Sequence, residues 1–176
     1  MTASRVKLRT PTPADGEEFI AAMRSSRKLH AGWVTAPNTP AAFEALLERA
    51  RQESFESMLA CLAGEGTIVG VFNISNIIRG SFQSAFLGYG AVAAHTGRGY
   101  MTEGLELVLR RAFTDLRLHR LEANIQPGNA ASIALVKRCG FVCEGFSERY
   151  LKIAGRWRDH ERWAIRAEQW RERHGS

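Results

Sequence analysis

Two glycines flank an arginine in His95-Thr96-Gly97-Arg98-Gly99-Tyr100-Met101-Thr102-Glu103-Gly104, the stretch of this chain best suited to holding an anion. Glycine lets the backbone take positive φ and lie close to a ligand. Residues 86–92 before it read as a strand. Leu105, Val108, Leu109, Ala112, Phe113 and Leu116 after it fall at helical spacing. The turn thus opens a helix whose first N–H groups lack intrahelical partners and carry partial positive charge. Arg98 adds a full charge, and a phosphate suits such a place. A plain strand-to-helix turn satisfies the same pattern. It is not a P-loop, because no Gly-Lys-Ser/Thr follows. It is not a dinucleotide fingerprint, because the third glycine and an opening βαβ unit are missing.

Asn129 and Ser132 form a second local pattern. Asn129 reads as the N-cap of a helix over 130–138, and Ser132 as an exposed first-turn residue. Glu103 in the first turn of the preceding helix complements its dipole. His30, His95, His119 and His160 are scattered and read as structural or exposed. Trp33, Tyr100, Tyr150 and Trp157 fit either a groove wall or a core.

The elements that position these residues follow from periodicity and punctuation. Residues 5–9 alternate as a strand. Thr12-Pro13 and Thr39-Pro40 each open a helix with a cap followed by proline at the first helical position. Residues 24–38 between these helices read as irregular. Residues 57–62 and 67–74 read as a hairpin, followed by a connector over 76–83. After the central strand, glycine turn and long helix come a strand over 120–125 and the helix over 130–138, stopped by Gly140. Strands over 141–153 and 158–166 and a frayed helical tail over 167–176 complete the chain. Hairpins and crossovers are interspersed, so the class is α/β with α+β character and a mixed sheet.

At 176 residues, 45% hydrophobic and 24% charged, the composition is that of one globular domain over 1–176. A net charge of +6, spread along the chain, favours anionic partners. No nucleic-acid motif accompanies it, so direct nucleic-acid binding is not expected. Cys61, Cys139 and Cys143 lack metal-ligand spacing and read as buried, reduced thiols in a cytoplasmic protein, with no metal site. No signal peptide and no membrane span are expected.

Three groups of residues then carry a resemblance. The first is Leu87-Gly88-Tyr89 with Gly97 to Glu103. The second is His119 to Asn124, Pro127, Asn129, Ser132, Lys137, Gly140-Phe141 and Glu144-Gly145. The third is Tyr150 to Ile153, Gly155 and Trp157 to His160. Together they resemble the GNAT acetyltransferase superfamily, specifically its RimJ/RimL branch of ribosomal-protein N-terminal acetyltransferases. The resemblance implies a central, mostly antiparallel, splayed sheet of about six or seven strands flanked by about four helices. It also implies acetyl-CoA as the donor.

In the pyrophosphate loop implied by the resemblance, Gly99 takes the middle glycine and Met101 the final small position. Thr96 stands where the family has Gln or Arg, so an amide or guanidinium donor is absent there. Thr96, Gly97, Arg98, Gly99, Tyr100 and Met101 are thus the expected diphosphate cradle. Pantetheine is expected to pair with the strand backbone at Ala91 and Val92. Asn129 would bond the arm of the cosubstrate, and Ser132 would stand beside the thioester sulfur.

The implied chemistry is direct attack of an amine on the thioester through a tetrahedral intermediate. Backbone N–H groups near Val92 would serve the oxyanion. Residues 84–94 contain no acid, so Glu122 is the candidate base; the alternative is a structural carboxylate facing Arg120 or Arg149. A missing strand acid favours an α-amine of a protein or peptide, whose pKa is about 7.7–8.0. A small amine acceptor, or a CoA-binding module without turnover, are the other readings. A homo-oligomer is compatible with all three.

Overall fold

The computed structural model describes residues 4–175. Strand β1 (Val6–Arg9) leads to α1 (Gly16–Ser25), a one-turn α2 (Arg27–His30) and α3 (Pro40–Arg49). Strands β2 (Phe55–Leu62), β3 (Ile68–Ile78) and β4 (Ser84–Ala91) follow, then α4 (Tyr100–Arg110) and β5 (Arg120–Ile125). Next come α5 (Ala130–Arg138), β6 (Val142–Ile153), β7 (Arg156–Arg166) and α6 (Ala167–His174). The caps are local chemistry. Thr39 accepts from the Ala42 N–H at 3.2 Å, and the Asp15 carboxylate accepts from the Thr12 N–H at 2.7 Å.

The seven strands form one sheet in the order β1-β2-β3-β4-β5-β7-β6. Neighbouring strands are antiparallel, except that β4 and β5 are parallel. That exception shapes the molecule. β4 stays paired with β3 as far as Ala91, but with β5 only over Ser84 to Phe86. Beyond Phe86 the two strands part, and one side of β4 has no strand beside it.

Each sheet face has its own core. On one face α4, α5 and α6 bury Leu105, Val108, Leu109, Val136 and Trp170 against Phe72, Ile74, Leu121 and Ile165. Burying one such large side chain stabilises by roughly 1.5–3 kcal/mol. Gly104 lets α4 approach closely: a Cβ there would lie 2.7 Å from the Phe72 ring. On the other face α1 and α3 bury Phe19, Met23 and Phe43 against Leu59, Ile68 and Val71. That second layer covers β2 and β3, and only the short α2 reaches the parted end of β4.

The mixed, splayed, mostly antiparallel sheet matches the sequence reading, with differences of physical origin. Six helices rather than four are present among the described residues. The stretch read as irregular over 24–38 includes α2, and Ser26 there back-bonds to the Ala22 oxygen at 2.7 Å. The tail is docked rather than frayed as far as His174, because Trp170 packs 5.9 Å from Phe113, ring to ring. β3 runs on to Ile78, into the expected connector. Cys61 and Cys139 are buried thiols, but Cys143 on the edge strand β6 is exposed. Among the described residues no helix is long and apolar enough to cross a membrane, and no group of His, Cys, Asp or Glu could hold a metal ion.

Candidate active site

The parting of β4 from β5 opens a cavity of about 720 Å3, within the range of small-molecule sites. Tyr89, Gly90 and Ala91 form its floor, the start of α4 one wall, and Asn129, Ser132 and Leu135 the opposite wall. Leu29 to Val34 bring α2 and its following loop to the rim.

The glycine turn is built as its sequence demands. Gly97 and Gly99 have φ of 73° and 82°, where a side chain would be strained. Gly99 is the N-cap of α4, and no side chain caps this helix. The amides of Gly97 to Met101 have no partner among the described residues. Several converging donors with the helix dipole behind them fit a diphosphate. Thr96, Gly97, Gly99, Tyr100 and Met101 all line the cavity. The Thr96 hydroxyl, however, donates back to the Ala93 oxygen at 2.9 Å, so it is occupied locally.

Arg98 departs from the expectation. It is exposed and outside the cavity lining, and its carbonyl accepts from Arg5 Nη2 at 3.0 Å. The positive charge at the turn comes instead from Arg5 and Arg138, both of which line the cavity. Arg5 is held by Glu103: its Nε donates to Oε1 at 2.7 Å and its backbone N–H to Oε2 at 2.8 Å. Burial alone would raise the Glu103 pKa, but the Arg5 hydrogen bonds and charge outweigh it, and the carboxyl sits below its ordinary range. The Arg5 guanidinium also lies 5.0 Å above the Tyr100 ring. Arg138 donates to Thr102 Oγ1 at 3.0 Å.

The opposite wall is capped. Asn129 Oδ1 accepts from the Ser132 N–H at 3.3 Å, as read from the sequence. Ser132 is partly buried rather than exposed, and its Oγ lies 2.5 Å from the Tyr89 hydroxyl. Burial pushes the Tyr89 hydroxyl up to about 12, with the Ser132 hydrogen bond opposing the rise. Two protonated hydroxyl groups therefore face one another across the gap, one from β4 and one from α5.

The remaining expected residues are redistributed. Val92 lies outside the cavity: its side chain is buried in the α1–α3 core, and its N–H donates to the Val69 oxygen at 2.9 Å. Ala91 lines the cavity, but its carbonyl is already bonded to His30 Nε2 at 2.8 Å. Glu122 is not brought to the cavity. It sits opposite Phe86, where β4 and β5 are still joined, and it accepts from Arg120 Nε at 2.8 Å. Arg120 also bonds Glu144, so Glu122 belongs to a structural ion cluster. Of the histidines, His30 and His95 line the cavity, while His119 pairs with Glu168 at 3.0 Å and His160 is buried. Trp33 separates the main cavity from a second one of about 270 Å3, walled by Trp157 and Asp159. Trp33 packs on Gly128, where a Cβ would lie 3.3 Å from its ring.

Sequence reasoning assigned no site role to Arg5, His30, Tyr89 or Arg138. Only Tyr89 carried a usable signal. It sits two residues before Ala91 on the central strand and so shares its backbone direction.

A sheet that parts between two parallel strands, with an uncapped helix head at the opening, marks this as a splayed-sheet acyltransferase fold. Residues 5–142 match the family described as "Acetyltransferase (GNAT) domain", and the chain belongs to that family. It is 42% identical over 103 residues to the probable N-acetyltransferase YjcK of Bacillus subtilis, covering 58% of this chain and 57% of the relative. It is 41% identical over 106 residues to the [ribosomal protein uS5]-alanine N-acetyltransferase of Escherichia coli, covering 60% of this chain and 55% of the relative. The chain thus spans a little over half the length of these curated relatives. Among solved structures, Mycobacterium smegmatis RimJ in complex with CoA-disulfide superposes with a TM-score of 0.84 at 31% identity. That match covers 93% of this chain and 82% of the other.

Proposed function

We propose that this chain moves an acetyl group from acetyl-CoA to the α-amine of a protein or peptide. One observation carries the reading. The partnerless amides at the head of α4 and the Tyr89–Ser132 hydroxyl pair lie on one cavity, spaced along the gap beside β4. A diphosphate-bearing thioester needs both features. The relatives named above support the reading by what they act on or bind.

Acetyl-CoA supplies the activated acyl group. The chain's residues do the rest. The Gly97 to Met101 amides, with Arg5 and Arg138, hold the diphosphate. Asn129 fixes the head of α5. The Ala91 N–H points away from β3 into the gap and is the backbone donor for the carbonyl oxygen. The Tyr89–Ser132 pair shares one proton between its oxygens and directs the other toward the departing sulfur. A CoA-type thiol has a pKa near ~8.5, whereas the Tyr89 hydroxyl is pushed up to about 12. Full proton transfer from Tyr89 would run uphill by about 5 kcal/mol. The pair therefore stabilises the sulfur by hydrogen bonding rather than by giving up its proton.

The lining of the same cavity supports an α-amine acceptor. Its one carboxylate among the described lining residues, Glu103, is committed to Arg5. No uncommitted carboxylate there neutralises a polyamine or draws a proton from a lysine. Roughly a tenth of an α-amine is already neutral at pH 7, against fewer than about one in a thousand lysine side chains. A cytoplasmic setting accompanies the proposal, since newly made protein N-termini are presented there.

Steady-state turnover with acetyl-CoA and three acceptors tests this: a peptide with a free N-terminus, spermidine and a free amino acid. The peptide should exceed the others at least tenfold in kcat/KM. A preference for spermidine would establish the small-amine reading. Tight CoA binding with no turnover on any amine would establish a binding module.

A further inference from the structure

The end of β4 has no strand on its open side, yet its last peptide groups are held in place. In an antiparallel pair each residue sends its N–H and C=O to one side, and the side alternates along the strand. Val92 donates to Val69 on β3, so the N–H and C=O of Ala91 go the other way, as does the N–H of Ala93 at the start of the next turn. β5 has already diverged there. Two side chains from one helical stretch stand in for it. His30 Nε2 lies 2.8 Å from the Ala91 oxygen, and Ser26 Oγ accepts from the Ala93 N–H at 2.9 Å. Four residues apart, they share one helical face. Ser26 has 0% exposure and His30 7%.

The proton positions follow from the partners. The Ser26 hydroxyl gives its one proton to the Ala22 oxygen at 2.7 Å, which leaves its lone pairs for Ala93. A carbonyl only accepts, so His30 must carry its proton on Nε2. The Ala91–Val92 peptide is then fixed at both ends, its oxygen by His30 and its N–H by Val69. The His30 ring also packs on Gly90, where a Cβ would lie 3.5 Å from Nε2.

We propose that His30, seconded by Ser26, is a positioning residue for acyl transfer: it fixes the Ala91–Val92 peptide so that the neighbouring Ala91 N–H keeps its aim into the cavity. This rests on the transferase reading only for its catalytic consequence. The clamp itself is a property of the folded chain. It also ties the rim segment Leu29 to Val34 to the strand on which the thioester carbonyl would rest.

Nitrogen-15 NMR of the intact protein, labelled at histidine and at backbone amides, tests the clamp without turnover. His30 should carry its proton on Nε2, and His30→Phe should speed hydrogen exchange at Val92 and Ala93. A ring protonated on Nδ1 alone, or unchanged exchange at both amides, overturns the proposal. Kinetics test the consequence. His30→Phe, which keeps volume but removes the donor, should lower kcat at least tenfold with KM for acetyl-CoA within threefold. His30→Gln, which restores an N–H donor, should recover most of kcat at a similar unfolding temperature. Equal impairment of Phe and Gln, or a fully active Phe variant, overturns the catalytic role. A wild-type protein inactive toward every amine overturns the transferase reading instead, and the NMR results still decide the clamp.

Discussion

Two helices begin at the same cavity and begin differently. The α4 start has a left-handed glycine and no side-chain cap, whereas the α5 start is closed by Asn129 onto the Ser132 N–H. An uncapped start keeps its amide donors for a ligand, at the cost of leaving them unsatisfied in the free chain. A capped start satisfies its own backbone and offers side chains instead. On the proposed function the contrast divides the labour: α4 would bind charge through backbone, and α5 would present a hydroxyl to the reacting end.

The sharpest way to break this contrast is Gly99→Asp. It places a side chain at φ 82°, where strain costs roughly 1–3 kcal/mol, and sets a carboxylate among donors meant for phosphate. Calorimetry should show CoA affinity weakened about 100-fold or more. A loss below fivefold would remove α4 from the binding role.

Ser132→Ala and Tyr89→Phe come next. Each should lower kcat about 10- to 100-fold, the range expected for losing one hydrogen bond to a charged group. The acetyl-CoA KM should stay within threefold. The double variant should be little worse than either single one, because the two hydroxyls act as one unit. A change in KM alone would make Ser132 a binding residue and blur the division between the helices.

Asn129→Ala should have the smallest effect. Losing an N-cap costs about 1 kcal/mol, which for a chain of this size is a fall of about 2–4 °C in Tm. Asn129→Asp, which also caps, should keep most of the stability. Differential scanning calorimetry distinguishes the two.

These starts also show what a sequence reveals. The glycine turn and the Asn129 cap are settled within three or four residues, and both were legible. Arg98 looked like the charge of the turn, yet that charge arrives through Arg5, 93 residues earlier in the chain. The resemblance sets pantetheine against the backbone at Ala91, but the carbonyl there is held by His30, 61 residues away. Val92 failed because strand direction decides which side its N–H serves, and composition does not record direction. Glu122 failed because the strands remain closed at its level. The tail helix was misread because its weak intrinsic pattern is overridden by Trp170 packing on Phe113.

The three residue pairs that join β4 to β5 have a thermal consequence. Half of this seam is unzipped, and a pantetheine arm lying along it would supply the rungs that His30 and Ser26 leave open. Melting temperature should then track cosubstrate supply, gaining about 2.7 kcal/mol of stability at a hundredfold excess over Kd. A cell short of acetyl-CoA and CoA would hold a softer protein, and its abundance would report on the metabolic state that feeds it.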